Sequence, residues 1–495
     1  PTDLEPTMTE STLLRAISAT LMPGFDGLTL PRWLAAEFEA GLGSVCLFDS
    51  NIADPEQLHA LTSAIHRIRS EALVATDEEG GDVTRLHHAR GSLHPSAAFL
   101  GHQDSPEATE AVGHGIGTEL RAAGIDLNLA PDADVNSNPR NPVIGVRSFG
   151  SDPELVARHV AAYVRGLQGA GVAACAKHFP GHGDTAADSH HDLPVVDVER
   201  QVLAARELVP FRAAVEAGVL AVMTSHILVP AVDPDLPATL SPRVLALLRD
   251  DLGFGGAIVS DALDMAGASG GRGIAEAAVL ALGAGVDLMC IGSGNTGDQL
   301  AAIRAHIADA VRSGRLAEAR VFDAARRVAD LATAIDGLRA RPAPVVEPAE
   351  VDATRFWHRT AVGPVAAPVV LRLDSAGNLA LAHTPWGIGE HLRPELDRWL
   401  PGATCLTVSD PAGLRSALAA HAGRPLVVQG RDLSRVPFLA EAVRVVRHQR
   451  PDAVVVELGW PDPSGDFDLA TFGAGRGAAA GLIRLLASGS GPQNR

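Results

Sequence analysis

Short apolar segments alternate with longer amphipathic segments along the first two thirds of this chain. The apolar segments have the length and composition of β-strands: Ser44–Phe48, Leu73–Thr76, Leu127–Ala130, Val172–Ala176, Leu220–Thr224, Ala257–Ser260 and Asp287–Ile291. Segments with helical periodicity separate them: Pro106–Ala123, Glu154–Ala170, Glu199–Ala217 and Arg243–Leu252 are examples. Strands that alternate with helices form parallel sheets, because each parallel connection needs a crossover. The chain is therefore predicted to be an α/β protein with a parallel sheet.

Most of these strands are apolar on successive residues, as expected of strands that are covered on both faces. Polar residues follow several of them, including Asp77, Lys177, His226 and Asp261. Functional side chains at the carboxyl ends of successive parallel strands are typical of a TIM-like (β/α)8 barrel. An open, doubly wound sheet is the alternative, which is disfavoured because no GxGxxG motif follows the first strand.

A chain of 495 residues is too long for one ordinary core, so two domains are expected. The Pro-rich segment Leu338–Pro348 has the composition of a linker. We predict a barrel domain over residues 1–337, a linker over 338–350, and a smaller α/β sandwich over 351–495. The predicted strands of the sandwich are Val369–Leu373, Leu379–His383, Cys405–Val408, Leu426–Gln429 and Ala453–Glu457, and its predicted helices include Pro411–Ala420 and Pro437–Arg447.

Composition excludes several classes of partner. The formal net charge of −18 argues against a nucleic-acid-binding protein, since phosphate recognition needs clustered Lys and Arg. No apolar run approaches the ~20 residues of a membrane span.

The four cysteines are far apart and are expected to be free thiols, three of them buried in strands. The polar, acidic N-terminal segment does not resemble a signal peptide, so a cytoplasmic location is expected.

The segment from Lys177 to Pro194 concentrates titratable groups, with histidines and carboxylates spaced by Gly and Pro. Asp188 and His190 are two residues apart, so an extended loop would place them on the same side. A carboxylate that orients an imidazole makes a proton-transfer device. A solvated polar loop is one alternative. A zinc site is another, with ligands drawn from His178, His182, Asp184, Asp188, His190 and His191. No helical i, i+4 pair or CxxC supports zinc, so no metal is expected.

The same segment resembles the signature of bacterial β-N-acetylglucosaminidases of glycoside hydrolase family 3. That signature is Lys-His-(Phe or Ile)-Pro-Gly-(His or Leu)-Gly, four variable residues, Asp-Ser-His, three variable residues and Pro. Every fixed position is matched between Lys177 and Pro194. The resemblance covers about the first two thirds of the chain and is weaker beyond. It implies that His190 is the acid/base, assisted by Asp188, and it selects His190 over the adjacent His191. Gly181 and Gly183 would make the loop from Gly181 to Pro194 mobile.

Asp261 is the candidate nucleophile. Glycoside hydrolysis needs a carboxylate beside the anomeric carbon, and Asp261 ends an apolar strand, where a rigid backbone would hold it. The family pattern Ser-Asp-x-Leu-x-Met is matched from Ser260 to Met265 and implies the same role. The alternative is an aspartate that caps a following helix. Asp264 is expected on that helix.

Charged side chains that make paired hydrogen bonds are suited to sugar hydroxyls. Similarity to the family segments Asp-x-Glu-Gly-Gly-x-Val-x-Arg and Ile-Gly-x-Arg-Ser-Phe-Gly implies substrate binding by Asp77, Arg85 and Arg147. Lys177 and His178 are expected to donate to hydroxyls. His226 is expected to lie in the pocket, with a core histidine as the alternative. A salt bridge that closes the barrel mouth is the alternative for Asp77 and Arg85.

The resemblance implies a retaining exo-β-N-acetylglucosaminidase with a covalent glycosyl–Asp261 intermediate and no cofactor. Its substrates would be muropeptides, as in peptidoglycan recycling, or chito-oligosaccharides. A carbohydrate is the only partner expected, and the protein is expected to be a monomer or a weak homo-oligomer. The alternatives are a β-N-acetylglucosaminide phosphorylase, a family 3 β-glucosidase and a non-catalytic sugar-binding protein.

Overall fold

The first sheet is a nearly closed parallel barrel. The computed structural model describes residues 10–185, 193–341, 351–374 and 384–489. The strands of this sheet are β1 (Leu21–Pro23), β2 (Ser44–Cys46), β3 (Leu73–Thr76), β4 (Leu127–Asn128), β5 (Ala173–Phe179), β6 (Ala221–Thr224), β7 (Ala257–Ser260) and β8 (Leu288–Gly292). Hydrogen-bonded neighbours follow the order β1-β8-β7-β6-β5-β4-β3-β2, and β1 also contacts β2. The predicted (β/α)8 barrel is confirmed.

Helices surround this sheet. They are α1 (Glu10–Ala19), α2 (Arg32–Ala40), α3 (Pro55–Ile68), α4 (Ala97–Gln103), α5 (Pro106–Ala122), α6 (Pro153–Gly169), α7 (Arg200–Val202), α8 (Leu208–Glu216), α9 (Pro242–Ala246), α10 (Ala266–Ser269), α11 (Ile274–Ala284), α12 (Gly297–Arg312) and α13 (Glu318–Arg339). Several begin at an Asp-Pro or Ser-Pro pair, in which the first residue caps the helix and proline supplies a preset φ. The single helix predicted over Glu199–Ala217 is interrupted by a π-helical turn at Leu203–Glu207.

Side-chain alternation along the strands divides the apolar core in two. Met22, Cys46, Cys175 and Cys290 belong to a buried cluster that fills the barrel interior, and residues of α13 close its lower end. Their neighbours along the strands pack against the helices. The three strand cysteines are buried free thiols, as predicted. Strand β1 was not predicted, because its three residues end in Pro23, and proline argues against a strand.

The second sheet and its helices form a smaller layered unit, called the second domain below. Its strands are β9 (Trp357–His358), β10 (Val369–Leu373), β11 (Thr404–Val408), β12 (Leu426–Gly430), β13 (Val454–Glu457) and β14 (Leu469–Ala470), in the order β11-β10-β12-β13-β14-β9. Its helices are α14 (Arg393–Trp399), α15 (Pro411–Ala420), α16 (Pro437–Gln449) and α17 (Arg476–Ser488). Among the described strands of this sheet, β9 alone runs antiparallel to its neighbour. The predicted strand Leu379–His383 lies outside the described residues.

The second domain packs against the barrel through apolar side chains. Phe99 of α4 meets Phe356 edge-to-face, with ring centroids 5.7 Å apart, and His102 stacks on Phe472 at 4.2 Å. Helix α13 ends at Arg339, while residues 342–350 lie outside the described part of the chain. The exact division at residues 338–350 stays a prediction. Among the described helices, none is both long and apolar enough to cross a bilayer.

Candidate active site

A cavity of about 630 Å³ opens at the carboxyl ends of the barrel strands. That volume is in the range of small-molecule sites. Its wall contains predicted site residues and other polar side chains: Asp49, Asp77, Glu79, Arg85, Arg147, Lys177, His178, His182, Asp261 and Asp264. The barrel topology therefore brings together side chains that are up to 215 positions apart, from Asp49 to Asp264.

The turn after β3 is organised by the buried carboxylate of Glu78. One of its oxygens accepts hydrogen bonds from Thr84 Oγ1 at 2.9 Å and from the backbone N–H groups of Arg85 and Leu86 at 2.8 and 2.9 Å. Asn128 at the end of β4 bonds both the backbone N–H and the backbone carbonyl of Glu78. These contacts fix the backbone from which Arg85 enters the cavity.

Glu79 holds two buried cations in place. Its carboxylate accepts from Arg147 Nη2 at 2.8 Å and Nε at 3.0 Å, and it pairs with Lys177 Nζ at 2.8 Å. Burial alone would raise the pKa of Glu79, but the charges of Arg147 and Lys177 outweigh burial and hold it well below its usual range. Lys177 also donates to Asp77 Oδ1 at 2.7 Å. Burial would lower the pKa of Lys177, whereas Asp77 and Glu79 raise it above its ordinary value, so Lys177 is a cation.

Arg85 has fewer protein partners than these two cations. Its Nη2 lies 4.0 Å from Asp77 Oδ2, while its Nε and Nη1 are buried without a hydrogen-bond partner among the described residues. An unsatisfied buried donor is costly, and a ligand can supply the missing acceptor. Of the predicted substrate-binding cations, Arg85 thus has the donors best placed to be completed by a bound molecule.

Consecutive residues of β5 both face the cavity because the strand is irregular. The register of β5 against β6 shifts between Ala176 and Phe179, so Lys177 and His178 do not point to opposite faces. His178 Nδ1 donates to Asp134 Oδ2 at 2.7 Å, and Nε2 accepts from Arg147 Nη2 at 3.3 Å. This pattern is that of a neutral ring, and it leaves no ring N–H for a sugar hydroxyl.

Burial and the charge of Arg147 lower the pKa of His178 to about 4. Burial likewise lowers the pKa of His182 to about 4. The carboxylate of Asp134, whose pKa is raised by burial, also accepts the backbone N–H of His182 at 2.6 Å. Asp132, Asp134 and His178 are close enough for a common metal ion, but both nitrogens of His178 are already hydrogen-bonded.

Asp261 follows β7 directly and lies in the cavity wall. Its Oδ1 accepts the backbone N–H of Ala262 at 2.8 Å. Burial would raise the pKa of Asp261, but His226, His178 and the Ala262 N–H together lower it below its ordinary value. Asp261 is therefore an anion near neutral pH, which is the protonation state that a carboxylate nucleophile requires.

The structure overturns the prediction for two side chains near Asp261. His226 does not line the cavity: it is fully buried, with Nδ1 2.9 Å from Thr239 Oγ1 and Nε2 donating to the Ala262 carbonyl at 2.9 Å. The core-histidine alternative is the one observed, and the ring supports the loop that carries Asp261. Asp264 lies before α10 rather than on it, and it contributes to the cavity wall. The loop after β7 is longer than the sequence suggested.

The profile described as Glycosyl hydrolase family 3 N terminal domain matches residues 34–331, which is more than half of the chain. This chain belongs to glycosyl hydrolase family 3. The protein is therefore a glycoside hydrolase, and the cavity at the carboxyl ends of the strands has the position expected of the active site in a barrel enzyme.

Relatives in the family share different lengths of the chain. Beta-hexosaminidase A of Pseudoalteromonas piscicida is 36% identical over 319 residues, 59% of this chain and 53% of that protein. Beta-hexosaminidase of Methylococcus capsulatus is 38% identical over 273 residues, 54% of this chain and 81% of that protein. The family 3 β-N-acetylglucosaminidase of Paenibacillus sp. str. FPU-7 superposes with a TM-score of 0.84 at 31% identity and covers 97% of both chains.

Part of the family signature lies outside the described residues. Asp188 and His190, the predicted acid/base pair, fall within residues 186–192, as does His191. Gly181 and Gly183 are described, and both are buried. A Cβ on Gly183 would overlap the Val135 carbonyl oxygen. A Cβ on Gly181, which has a φ of +131°, would lie 2.6 Å from Glu207 Oε2. Close packing requires these glycines, so this first part of the predicted mobile loop is packed.

Several polar residues of this family 3 site were not selected from the sequence. Glu79 lies in the same segment as Asp77 and Arg85. Arg147 and Lys177 were both expected in the site, and two buried cations need an anion nearby, so this requirement could have indicated Glu79. Asp132 and Asp134 follow β4, where polar residues at a strand end were the available signal. Glu207 gave no signal, because its place in the π-helical turn beside Gly181 depends on the tertiary fold.

Proposed function

We propose that this protein is a retaining exo-β-N-acetylglucosaminidase that removes terminal β-linked N-acetylglucosamine from muropeptides or chito-oligosaccharides. The observation that carries the proposal is a sugar-sized cavity lined by an anionic Asp261 and by Arg85, whose Nε and Nη1 have no hydrogen-bond partner among the described residues. The names of the relatives support the choice of sugar, since the matched Paenibacillus enzyme is a β-N-acetylglucosaminidase. The peptide or sugar that forms the leaving group stays open between the two substrate classes.

In the proposed reaction, Asp261 attacks the anomeric carbon and forms a covalent glycosyl–enzyme, which water then hydrolyses with net retention. The hydrogen bond from the Ala262 N–H to Oδ1 fixes the orientation of the Asp261 carboxylate, and therefore also the position of its second oxygen. The bound sugar contacts Asp77, Arg85, Lys177 and Arg147. Arg85 supplies two donors that have no other partner in the described part of the chain. His178 hydrogen-bonds to both Arg147 and Asp134 and so fixes their relative positions. It does not itself donate a hydrogen bond to the sugar.

His190, oriented by Asp188, is proposed to protonate the leaving oxygen and then to deprotonate the incoming water. Imidazole has an ordinary pKa of about 6.5, so it can perform both steps near neutral pH without a large shift. This assignment rests on the match of the Lys177–Pro194 segment to the family signature.

Trapping of the glycosyl–enzyme tests the role of Asp261. A slow fluorinated N-acetylglucosaminyl fluoride should add one sugar to the peptide that contains Asp261, and Asp261→Ala should lower kcat by at least about 10⁴-fold with an unchanged thermal unfolding midpoint. Asp264→Asn is the matched control in the same loop and should still be labelled. Label on any other residue, or retained turnover by Asp261→Ala, would reject the assignment.

The dependence on the leaving group tests His190. Because an aryl leaving group of low pKa needs little protonation, His190→Ala should slow hydrolysis of chitobiose much more than hydrolysis of an aryl N-acetylglucosaminide, by a ratio of about 10²-fold or more. Equal losses on both substrates would contradict the role of His190 as the acid. Parallel rates on an aryl β-glucoside, and rates with and without phosphate, would reveal a glucosidase or a phosphorylase instead.

A further inference from the structure

The cavity wall and the second domain meet at one short turn of the barrel. Residues 79–83 form this turn: Glu79 N–H donates to the Val83 carbonyl at 3.1 Å, and Val83 N–H donates to the Gly80 carbonyl at 3.2 Å. Glu79 and Val83 face the cavity on one side of the turn. Asp82 points away from the cavity and lines the cleft between the barrel and the second domain.

Asp82 is held by the second domain. Its side chain is buried, with Oδ1 accepting the Ala474 N–H at 2.7 Å and Oδ2 lying 3.2 Å from Arg431 Nη2. Arg431 follows β12, and its guanidinium stacks on the ring of Trp386 at 4.5 Å. The Arg431 guanidinium that contacts Asp82 is therefore held in place by the second domain itself.

The backbone reinforces this connection. The segment Phe472–Gly477 lies so close to the barrel that a Cβ on Gly475 would come within 2.7 Å of the Gly81 carbonyl oxygen. Ser96 donates to the Phe472 carbonyl, and Gly477 N–H donates to the Ser92 carbonyl at 3.0 Å. Gly81 N–H donates to the His94 carbonyl at 3.0 Å, which joins the turn to the same barrel segment.

We propose that Asp82 and Arg431 are positioning residues, through which the second domain fixes the turn that carries Glu79. Among the described residues, every one that lines the cavity belongs to the barrel. The second domain would thus act on the sugar indirectly: Arg431 fixes Asp82, the turn fixes Glu79, and Glu79 aligns Arg147 and Lys177. This inference rests on the proposed function, because it assigns Arg147 and Lys177 to sugar binding.

The inference predicts a particular kinetic signature. Arg147 and Lys177 contact a bound sugar in the ground state and in the transition state alike, so their displacement removes uniform binding and raises KM more than it lowers kcat. Arg431→Met and Asp82→Asn should each raise KM for an aryl N-acetylglucosaminide by about tenfold while kcat stays within about threefold. Arg431→Lys, which keeps the positive charge, should recover part of the loss.

The matched control is Arg447→Met. Arg447 is about as exposed as Arg431 and pairs with Asp466 and Asp468 inside the second domain. It should lower the thermal unfolding midpoint like Arg431→Met but leave KM unchanged. Asp82→Asn keeps the shape of the side chain and its bond to Ala474, so it provides a folded variant if Arg431→Met does not fold.

Three outcomes are distinguishable when kinetics are measured beside N-acetylglucosamine binding by calorimetry. Raised KM and weakened binding in Arg431→Met and Asp82→Asn, but not in Arg447→Met, support the inference. Unchanged KM and binding in folded Asp82→Asn, with an active wild type, overturn the inference and leave the proposed function standing. A wild type that neither hydrolyses the glycoside nor binds the sugar rejects both.

Discussion

Replacement of Arg85 by Met separates substrate binding from structural support. Arg85 carries two buried donor atoms without a partner among the described residues, and its one ion pair, to Asp77, is 4.0 Å long. A hydrogen bond to a charged group contributes about 1.5–3 kcal/mol, so loss of one should lower kcat/KM by about 10-fold to 150-fold.

The same substitution should have little effect on stability. An ion pair of this length contributes less than about 1 kcal/mol, and removal of an unsatisfied buried cation acts in the opposite direction. The thermal unfolding midpoint of Arg85→Met should therefore stay within about 3 °C of the wild type. Arg85→Lys keeps the charge but loses the guanidinium fork, so its kcat/KM should lie between those of the wild type and Arg85→Met.

The assay is initial-rate hydrolysis of an aryl N-acetylglucosaminide beside thermal unfolding of each variant. An unchanged kcat/KM together with a clear fall of the unfolding midpoint would refute the reasoning. That result would instead favour the salt bridge at the barrel mouth as the role of Asp77 and Arg85.

Two further predictions follow from the buried contacts around Gly181 and Gly183. Burial raises the pKa of Glu207 from 4.5 to about 7, so between these pH values the folded state binds more protons than the unfolded state, and the free energy of unfolding falls as pH rises. Relative to Glu207→Gln, the wild type should lose up to about 3 kcal/mol of this free energy between pH 4.5 and pH 8. Parallel plots of unfolding free energy against pH for the two proteins would contradict this. Gly183→Ala should lower the free energy of unfolding in urea by more than about 3 kcal/mol, because its Cβ would overlap the Val135 carbonyl oxygen. The control is Gly255→Ala, whose Cβ would enter open space. Equal stability of the two variants would disprove the packing argument.

Relatives of this chain differ in how much of it they cover. The matched protein from Methylococcus capsulatus covers 54% of this chain, whereas the Paenibacillus structure covers 97%. Some relatives therefore align with little more than half of this chain. The Asp82–Arg431 contact offers a physical reason why a chain with the second domain would depend on it, because the turn that carries Glu79 is packed against that domain.

Local sequence was sufficient for the barrel, and it was sufficient to propose Asp261 as the nucleophile. Apolar runs as short as Leu73–Thr76 and Ala257–Ser260 were predicted with their observed bounds, because strands covered on both faces are uniformly apolar. Asp261 could be chosen because a strand end and a family pattern coincide there. Strands β1 and β9 were not predicted, because β1 ends in a proline and β9 is a half-buried Trp-His pair without an apolar run.

Tertiary structure decided which of the charged residues are available to a sugar. From the sequence, Arg85, Arg147 and Lys177 were equivalent candidates. Only contacts between distant strands reveal that Glu79 accepts two hydrogen bonds from Arg147, and that Nε and Nη1 of Arg85 have no partner among the described residues. His226 followed a strand as Asp261 did, yet its ring turns into the core because Thr239 and the Ala262 carbonyl satisfy it there. The sequence determined the order of strands and the chemistry that their ends carry, because both depend on neighbouring residues. The three-dimensional fold decided how those charges pair, because pairing depends on atoms that are close in space and far apart along the chain.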